Sequence, residues 1–294
     1  MCGPMGTAMT EHATARDDLI SVILPASNEA ALIGDCLQAL VRSDWTRDGA
    51  VQVIVVANGC HDDTAGQARR QAAAFAARGW ALQVIERAEG GKLAALNAGD
   101  AAARGSIRVY LDADVTVSPG LLEQLAAALD TPAPRYASGR VEIAAQGAVS
   151  RAYARIWRRV PFMAEVVPGC GLFAVNAAGR ARWDAFPGQI ISDDIFARLQ
   201  FRPEERVAVA AGYRWPIAEG WANLVRVRRR QNAGVDEIAA RYPALAANDD
   251  KPAFPLARKL RLALADPAGF AVYAGVALAV KLSPRRDQGW SRGR

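Results

Sequence analysis

Ser106-Ile107-Arg108-Val109-Tyr110-Leu111-Asp112-Ala113-Asp114 is an apolar run that stops on two carboxylates two residues apart. A buried strand ending this way sets carboxylate oxygens at the rim of a sheet. Such oxygens suit a hard divalent cation, Mg²⁺ or Mn²⁺, which proteins commonly hold jointly with substrate phosphates. Aspartate is also a frequent turn residue, so the triplet alone admits a solvated turn. The residues on either side carry the argument further.

Upstream, residues 19–25 form a short run rich in β-branched side chains, closed by Pro25. Ala30, Ile33, Leu37, Leu40 and Val41 then fall at helical spacing. Residues 51–56 read as a second buried strand, closed by the turn Asn58-Gly59; 64–77 read as a helix, 82–85 as a third strand and 93–103 as another helix. Strands alternating with such helices predict a mostly parallel sheet covered on both faces. Ligands of such sheets bind outside the carboxyl ends of the strands. Asn28 and Glu29, then Asn58, then Glu86 and Arg87, then Asp112 and Asp114 all fall at those ends. Four polar strand ends on one rim predict a site.

The chain of 294 residues can bury a full core. No G-x-G-x-x-G follows the first strand and no G-x-x-x-x-G-K-[ST] occurs, which disfavours a dinucleotide-binding enzyme or a P-loop NTPase. Gly90-Gly91-Lys92 gives a tight turn and a positive charge at a helix start, usable near phosphate. Cys2, Cys36, Cys60 and Cys170 have neither disulfide-scaffold nor zinc spacing, and His12 and His61 are too few for a histidine-rich metal site. A reducing compartment is expected. Residues 1–18 read as a flexible leader with no apolar signal core.

Charge is uneven. Residues 251–294 hold nine Lys or Arg against Asp266 and Asp287, a balance of +7 that leaves −1 for the other 250 residues. The basic groups flank the uncharged stretch 268–280 and are not interleaved with aromatics over the whole surface, so nucleic acid is not the expected partner. That stretch is too short to span a bilayer. It is expected to lie at an anionic membrane, with packing on the domain or a homodimer contact as the alternatives.

Taken together, the chain resembles a family-2 glycosyltransferase of the GT-A fold. The resemblance rests on residues 22–29 (Val-Ile-Leu-Pro-Ala-Ser-Asn-Glu), 55–64 (Val-Val-Ala-Asn-Gly-Cys-His-Asp-Asp-Thr), 91–99 (Gly-Lys-Leu-Ala-Ala-Leu-Asn-Ala-Gly) and Leu111-Asp112-Ala113-Asp114. It is strong over 19–120 and recoverable to about residue 235. It implies an α/β fold with a mostly parallel sheet, a helical C-terminal extension, and transfer of a sugar from a nucleoside-diphosphate-sugar with inversion. It further implies that Ala26, Asn28 and Glu29 line the nucleoside pocket, and that Asp112 faces the ribose while Asp114, with Asp112, holds Mn²⁺ or Mg²⁺. Lys92 and Asn97 order the donor pocket. Family members typically have aspartate where Asn58 stands; asparagine both donates and accepts, so UDP is favoured and GDP stays open.

Beyond residue 120 the acceptor half is expected to run to 250. Residues 167–176 resemble the family's glycine-containing acceptor-side strand, and residues 151–160 read as an amphipathic basic helix. Ile191-Ser192-Asp193-Asp194 supplies a second carboxylate pair. By resemblance Asp194 is the base that deprotonates the acceptor hydroxyl and Asp193 replaces the family's glutamate; plain helix capping is the other reading. In Arg226-Val227-Arg228-Arg229-Arg230-Gln231 only Arg230 matches the Gln-x-x-Arg-Trp of processive synthases, so single addition to a glycan or lipid-linked acceptor, in polysaccharide or glycolipid assembly, is expected. Arg230 would neutralise the leaving diphosphate. The expected location is cytoplasmic, peripheral on the inner face of the membrane. A catalytically inactive sugar-binding protein and a sugar nucleotidyltransferase are the competing classes.

Overall fold

The computed structural model describes residues 20–47 and 49–282, so the leader 1–18 and the basic residues from Arg285 onward lie outside the described residues. Eight strands form one sheet: β1 Ile20–Ala26, β2 Val51–Asn58, β3 Ala81–Arg87, β4 Ile107–Leu111, β5 Thr116–Val117, β6 Tyr136–Ala144, β7 Leu172–Asn176 and β8 Arg206–Pro216. Their order is β3-β2-β1-β4-β7-β6-β8-β5. β1 pairs in parallel with β2 and β4, β2 with β3, and β6 with β8; only β5 and β7 run against their neighbours. The sheet is therefore mostly parallel, as the alternation of runs implies.

Alternation along each strand divides the core. Val22, Leu24, Val53 and Val55 face one side, against Leu37 and Leu40 of helix Ile33–Val41 and Leu125 of helix Leu121–Leu129. Ile23, Ile54 and Val56 face the other, against Leu96 and the rings of Phe173, Phe186 and Phe196. Every residue of β2 is buried, which explains its unbroken apolar run. Each such aliphatic side chain contributes about 1.5–3 kcal/mol on burial.

The departures from expectation have local causes. The first helix starts at Ile33, because the Glu29 carbonyl accepts both the Leu32 and Ile33 N–H groups and winds residues 30–32 into a turn. The helix expected over 64–77 is two, Thr64–Arg69 and Ala72–Ala77, broken where the Gln71 N–H turns to Ala68. The strand expected over 167–176 begins only at Leu172, since Gly169 and Gly171 adopt left-handed φ of 69° and 75°. The basic helix spans Ala148–Trp157, and Tyr153, Ile156 and Trp157 point inward.

Two helices, Leu256–Ala265 and Pro267–Leu282, follow residue 250. Val272, Tyr273 and Val276 of the second pack with Tyr153, Trp157 and Leu224 in a third apolar cluster, and Asp266 accepts from Arg155 Nε at 2.6 Å. The inner side of the C-terminal segment is thus part of the fold. Among the described residues, no helix is long and apolar enough to cross a membrane.

Candidate active site

The site grows from the carboxyl end of β4. The Asp112 N–H donates to the Gly171 carbonyl at 2.9 Å, tying this end to the turn before β7. A Cβ at Gly171 would sit 2.6 Å from Trp215 Cδ1, and its φ is left-handed, so glycine is required there. Across the rim, Lys92 opens helix Lys92–Ala102 and reaches two carboxylates: Asp112 Oδ1 at 2.9 Å and Asp193 Oδ2 at 3.0 Å. Burial pulls the Lys92 ammonium down, but Asp112 and Asp193 more than offset this and hold it protonated, well above the usual lysine range.

Asp193 and Asp194 begin helix Asp193–Leu199. Ser192, at the cap position, makes no side-chain capping bond, whereas Asp194 Oδ1 accepts the Ile195 N–H at 2.8 Å. Asp193 is buried. Burial and the neighbouring Asp193 charge lift the Asp194 carboxyl to about 6, with Lys92 pulling the other way. A carboxylate with that affinity for protons is a competent base near neutral pH.

Lys92, Asp112, Asp193, Asp194 and Arg230 line one cleft of about 100 Å³. Arg230 arrives from helix Trp221–Arg241, which closes on the Asp193 turn because residue 234 is glycine: a Cβ there would lie 2.1 Å from Ser192 Oγ. Trp215 of β8 also forms a wall. The sequence reading passed over it; β8 has few large apolar residues, and only its register with β6 (Trp215 opposite Ile143) brings the ring to the cleft.

Ala26, Asn28, Glu29, Asn58, Asn97 and Asp114 are not walls of this cleft. Asn28, with φ of 50°, accepts the His61 N–H at 2.6 Å, and the Glu29 N–H donates to Thr64 Oγ1 at 2.7 Å. Asn58 is buried, with Nδ2 donating to the carbonyls of Ala26 (2.9 Å) and Val56 (3.2 Å) and Oδ1 accepting the Gly91 N–H at 2.9 Å. Its amide therefore locks β1, β2 and the Gly90-Gly91 turn together. Asn97 makes a two-way clamp on the Phe186 backbone, donating at 2.9 Å and accepting at 2.8 Å. Glu86, one of the polar strand ends, turns outward to pair with Arg69.

Asp114 lies towards helix Ile33–Val41: burial, then Asp114, Asp112 and Glu29, hold the Cys36 thiol protonated, well above its ordinary range. Among the described residues, no group of three His, Cys, Asp or Glu side chains is placed to hold a metal ion alone. Two aspartates at one strand end still fit Mg²⁺ or Mn²⁺, whose remaining ligands would be phosphate oxygens and water. The donor set is hard oxygen throughout, and one of the two carboxylates already carries a cation, Lys92.

A sequence profile of glycosyl transferase family 2 matches residues 21–179, more than half of the chain. An uncharacterized glycosyltransferase of Bacillus subtilis (strain 168), EpsJ, is 31% identical over 107 residues, a match that covers 36% of this chain and only 29% of that protein. Among solved structures, the mannosyltransferase PcManGT of Pyrobaculum calidifontis, crystallised with GDP-Man and Mn²⁺, superposes with a TM-score of 0.57 at 25% identity, over 92% of this chain and 77% of that one. S. aureus TarS 1-349 in complex with UDP gives 0.52 at 15% identity, over 84% and 70%, a likeness of fold. The matched segment runs from β1 through β7, and on that ground the chain belongs to glycosyl transferase family 2, with a GT-A fold.

Proposed function

We propose that the enzyme adds a single sugar to an acceptor hydroxyl with inversion, using Asp194 as base, in bacterial polysaccharide or glycolipid assembly. The observation that carries this reading is the meeting of Asp194, Asp193, Lys92, Asp112 and Arg230 in one cleft, with the Asp194 carboxyl raised to about 6. Asp194 takes the acceptor proton as the hydroxyl oxygen attacks the anomeric carbon from the face opposite the diphosphate. Arg230 answers the negative charge that grows on the departing diphosphate. Lys92 bonds to both Asp112 and Asp193, so it ties the base-bearing helix to the donor rim.

Asp112 and Asp114 are the residues that would hold Mn²⁺ or Mg²⁺. When bound, the ion supplies Lewis-acid neutralisation of the diphosphate. A UDP-sugar is favoured as donor. GDP-sugars remain the alternative, since Asn58 spends its amide within the chain and a GDP-mannose enzyme shares the fold at 25% identity. The acceptor is a glycan or a lipid-linked sugar, met by an enzyme peripheral to the cytoplasmic face of the membrane.

The test is nucleoside diphosphate release from a panel of UDP- and GDP-sugars with Mn²⁺. The expected result is release from one donor in the wild type and none above background with Asp194→Asn. Donor binding without release, in every combination, would favour an inactive sugar-binding protein.

A further inference from the structure

We infer that helix Leu256–Ala265 is an anchor that seats the enzyme on an anionic lipid surface; this rests on the reading of the enzyme as peripheral to a membrane. Leu256, Leu260 and Leu264 are 69%, 56% and 84% exposed. Spaced by four, they form one stripe on the helix. The helix is not loosely placed. Leu262 is buried beneath it, and Arg258 pairs with Glu165 and donates to the Arg159 carbonyl at 2.9 Å, so the outward face is fixed as the leucine face. The next helix adds Leu278 and Leu282, also more than half exposed. Single exposed leucines are ordinary on soluble proteins; three successive turns of them are not.

Charge selects the occupant. At 100° per residue Lys259 and Arg261 border the stripe on its two sides, where long basic side chains can lay their stems along apolar surface and lift their charges to headgroups. Helix Leu256–Ala265 contains no acidic residue. The Asp266 that follows is engaged by Arg155. A twofold pairing through this face would therefore set Lys259 and Arg261 against the same cations of a second copy, with nothing on the helix to answer them. An anionic leaflet has the opposite sign.

The anchor is also joined to the cleft. Helix Pro267–Leu282 packs on helix Trp221–Arg241, and Gly275 lies so close to Trp221 that a Cβ would come within 2.6 Å of the ring. Arg230, nine residues further on, lines the cleft about 14 Å along the same helix. The leucine stripe is thus connected through two packed helices to a wall of the cleft, and an acceptor carried on a lipid headgroup is the matching substrate.

Flotation of the full chain with phosphatidylcholine vesicles, with and without phosphatidylglycerol, tests this. Wild type should float with the anionic vesicles at low salt and be released by high salt. Leu256→Ser, Leu260→Ser and Leu264→Ser combined should lower partitioning at least ~tenfold. Lys259→Glu with Arg261→Glu should lower it at least ~30-fold on anionic vesicles alone, and this pair serves if the triple variant does not keep the wild-type melting temperature. Wild type that stays unbound at low salt, a folded triple variant that floats like wild type, or self-association abolished by the leucine substitutions would each overturn the anchor. Nucleoside diphosphate release in vesicle-free solution separates the two readings. Release without flotation removes the anchor and leaves the enzyme; flotation without release does the reverse.

Discussion

Asp194 stands between opposed influences: burial and Asp193 lift its carboxyl to about 6, and Lys92 draws it down. As the proposed base it must be ionised, so kcat/KM should fall as pH drops through about 6. Asp194→Asn should cut turnover by about 10²–10⁴-fold with donor affinity kept; wild-type turnover would assign the base elsewhere. The same shift is a stability statement. The native state prefers the protonated acid, so relative to a carboxyl of 3.8 when unfolded, stability declines as pH rises from 3.8 to about 6 and the full cost persists above. Asp194→Asn should therefore gain about 1–3 kcal/mol in urea unfolding at pH 7 and nothing near pH 3. Lys92→Met removes the attractive cation and should move the acid limb of the rate profile to higher pH; an unmoved limb would uncouple Lys92 from the base. Asn58→Ala tests a different point. It leaves the Gly91 N–H and Ala26 carbonyl without their partner, and should cost about 1–3 kcal/mol in a melt without donor. A change in donor KM alone, at full stability, would make Asn58 a reader of the base and not a clamp.

The approach of helix Trp221–Arg241 to the Asp193 turn depends on Gly234, since a methyl there meets Ser192 Oγ at 2.1 Å. Alanine gains up to ~1 kcal/mol of helix propensity, but forcing atoms into a closed contact costs about 1–3 kcal/mol. Gly234→Ala should lower kcat by shifting Arg230 within the cleft, with stability unchanged or reduced; full activity would show that the helix position is not critical. How legible each element is in the sequence follows from how it is held. β1, β2 and β4 are runs of β-branched and apolar residues buried on both faces, and their polar ends announce the rim. Asp193 and Asp194 announce themselves as a pair at a helix start. β8, by contrast, alternates buried and exposed positions with alanine and glycine between, and draws its partner β6 from some seventy residues earlier. Helix Trp221–Arg241 buries only Leu224, Gly234 and Ile238 along 21 residues, so its sequence reads as a charge run. Asn58 and Asn97 are visible as site-region residues, but the backbone groups they clamp are set by tertiary approach.

At the scale of the molecule, the half beyond residue 120 is fastened by two buried arginines on a shared acid. Arg198 and Arg206 both pair with Asp250, the latter at 2.8 Å, and they further donate to the carbonyls of Val167 and Asn248 respectively. Asp250 is itself partly exposed and Asp249 stays within 3.6 Å of Arg198, so Asp250→Asn should cost about 1–3 kcal/mol in urea unfolding; a loss below about 0.5 kcal/mol would mean that Asp249 and the carbonyls suffice. This fastening also has a consequence for how the protein is made. The strands β1 to β4 pair among themselves in the order β3-β2-β1-β4, so they can assemble as soon as they leave the ribosome. The half that carries Asp194 cannot: until Asp249 and Asp250 have been translated, Arg198 and Arg206 lack the anions they pair with. A stalled nascent chain ending short of Asp250 should present protease-sensitive sites between Arg198 and Arg206, and extending it past Asp250 should close them.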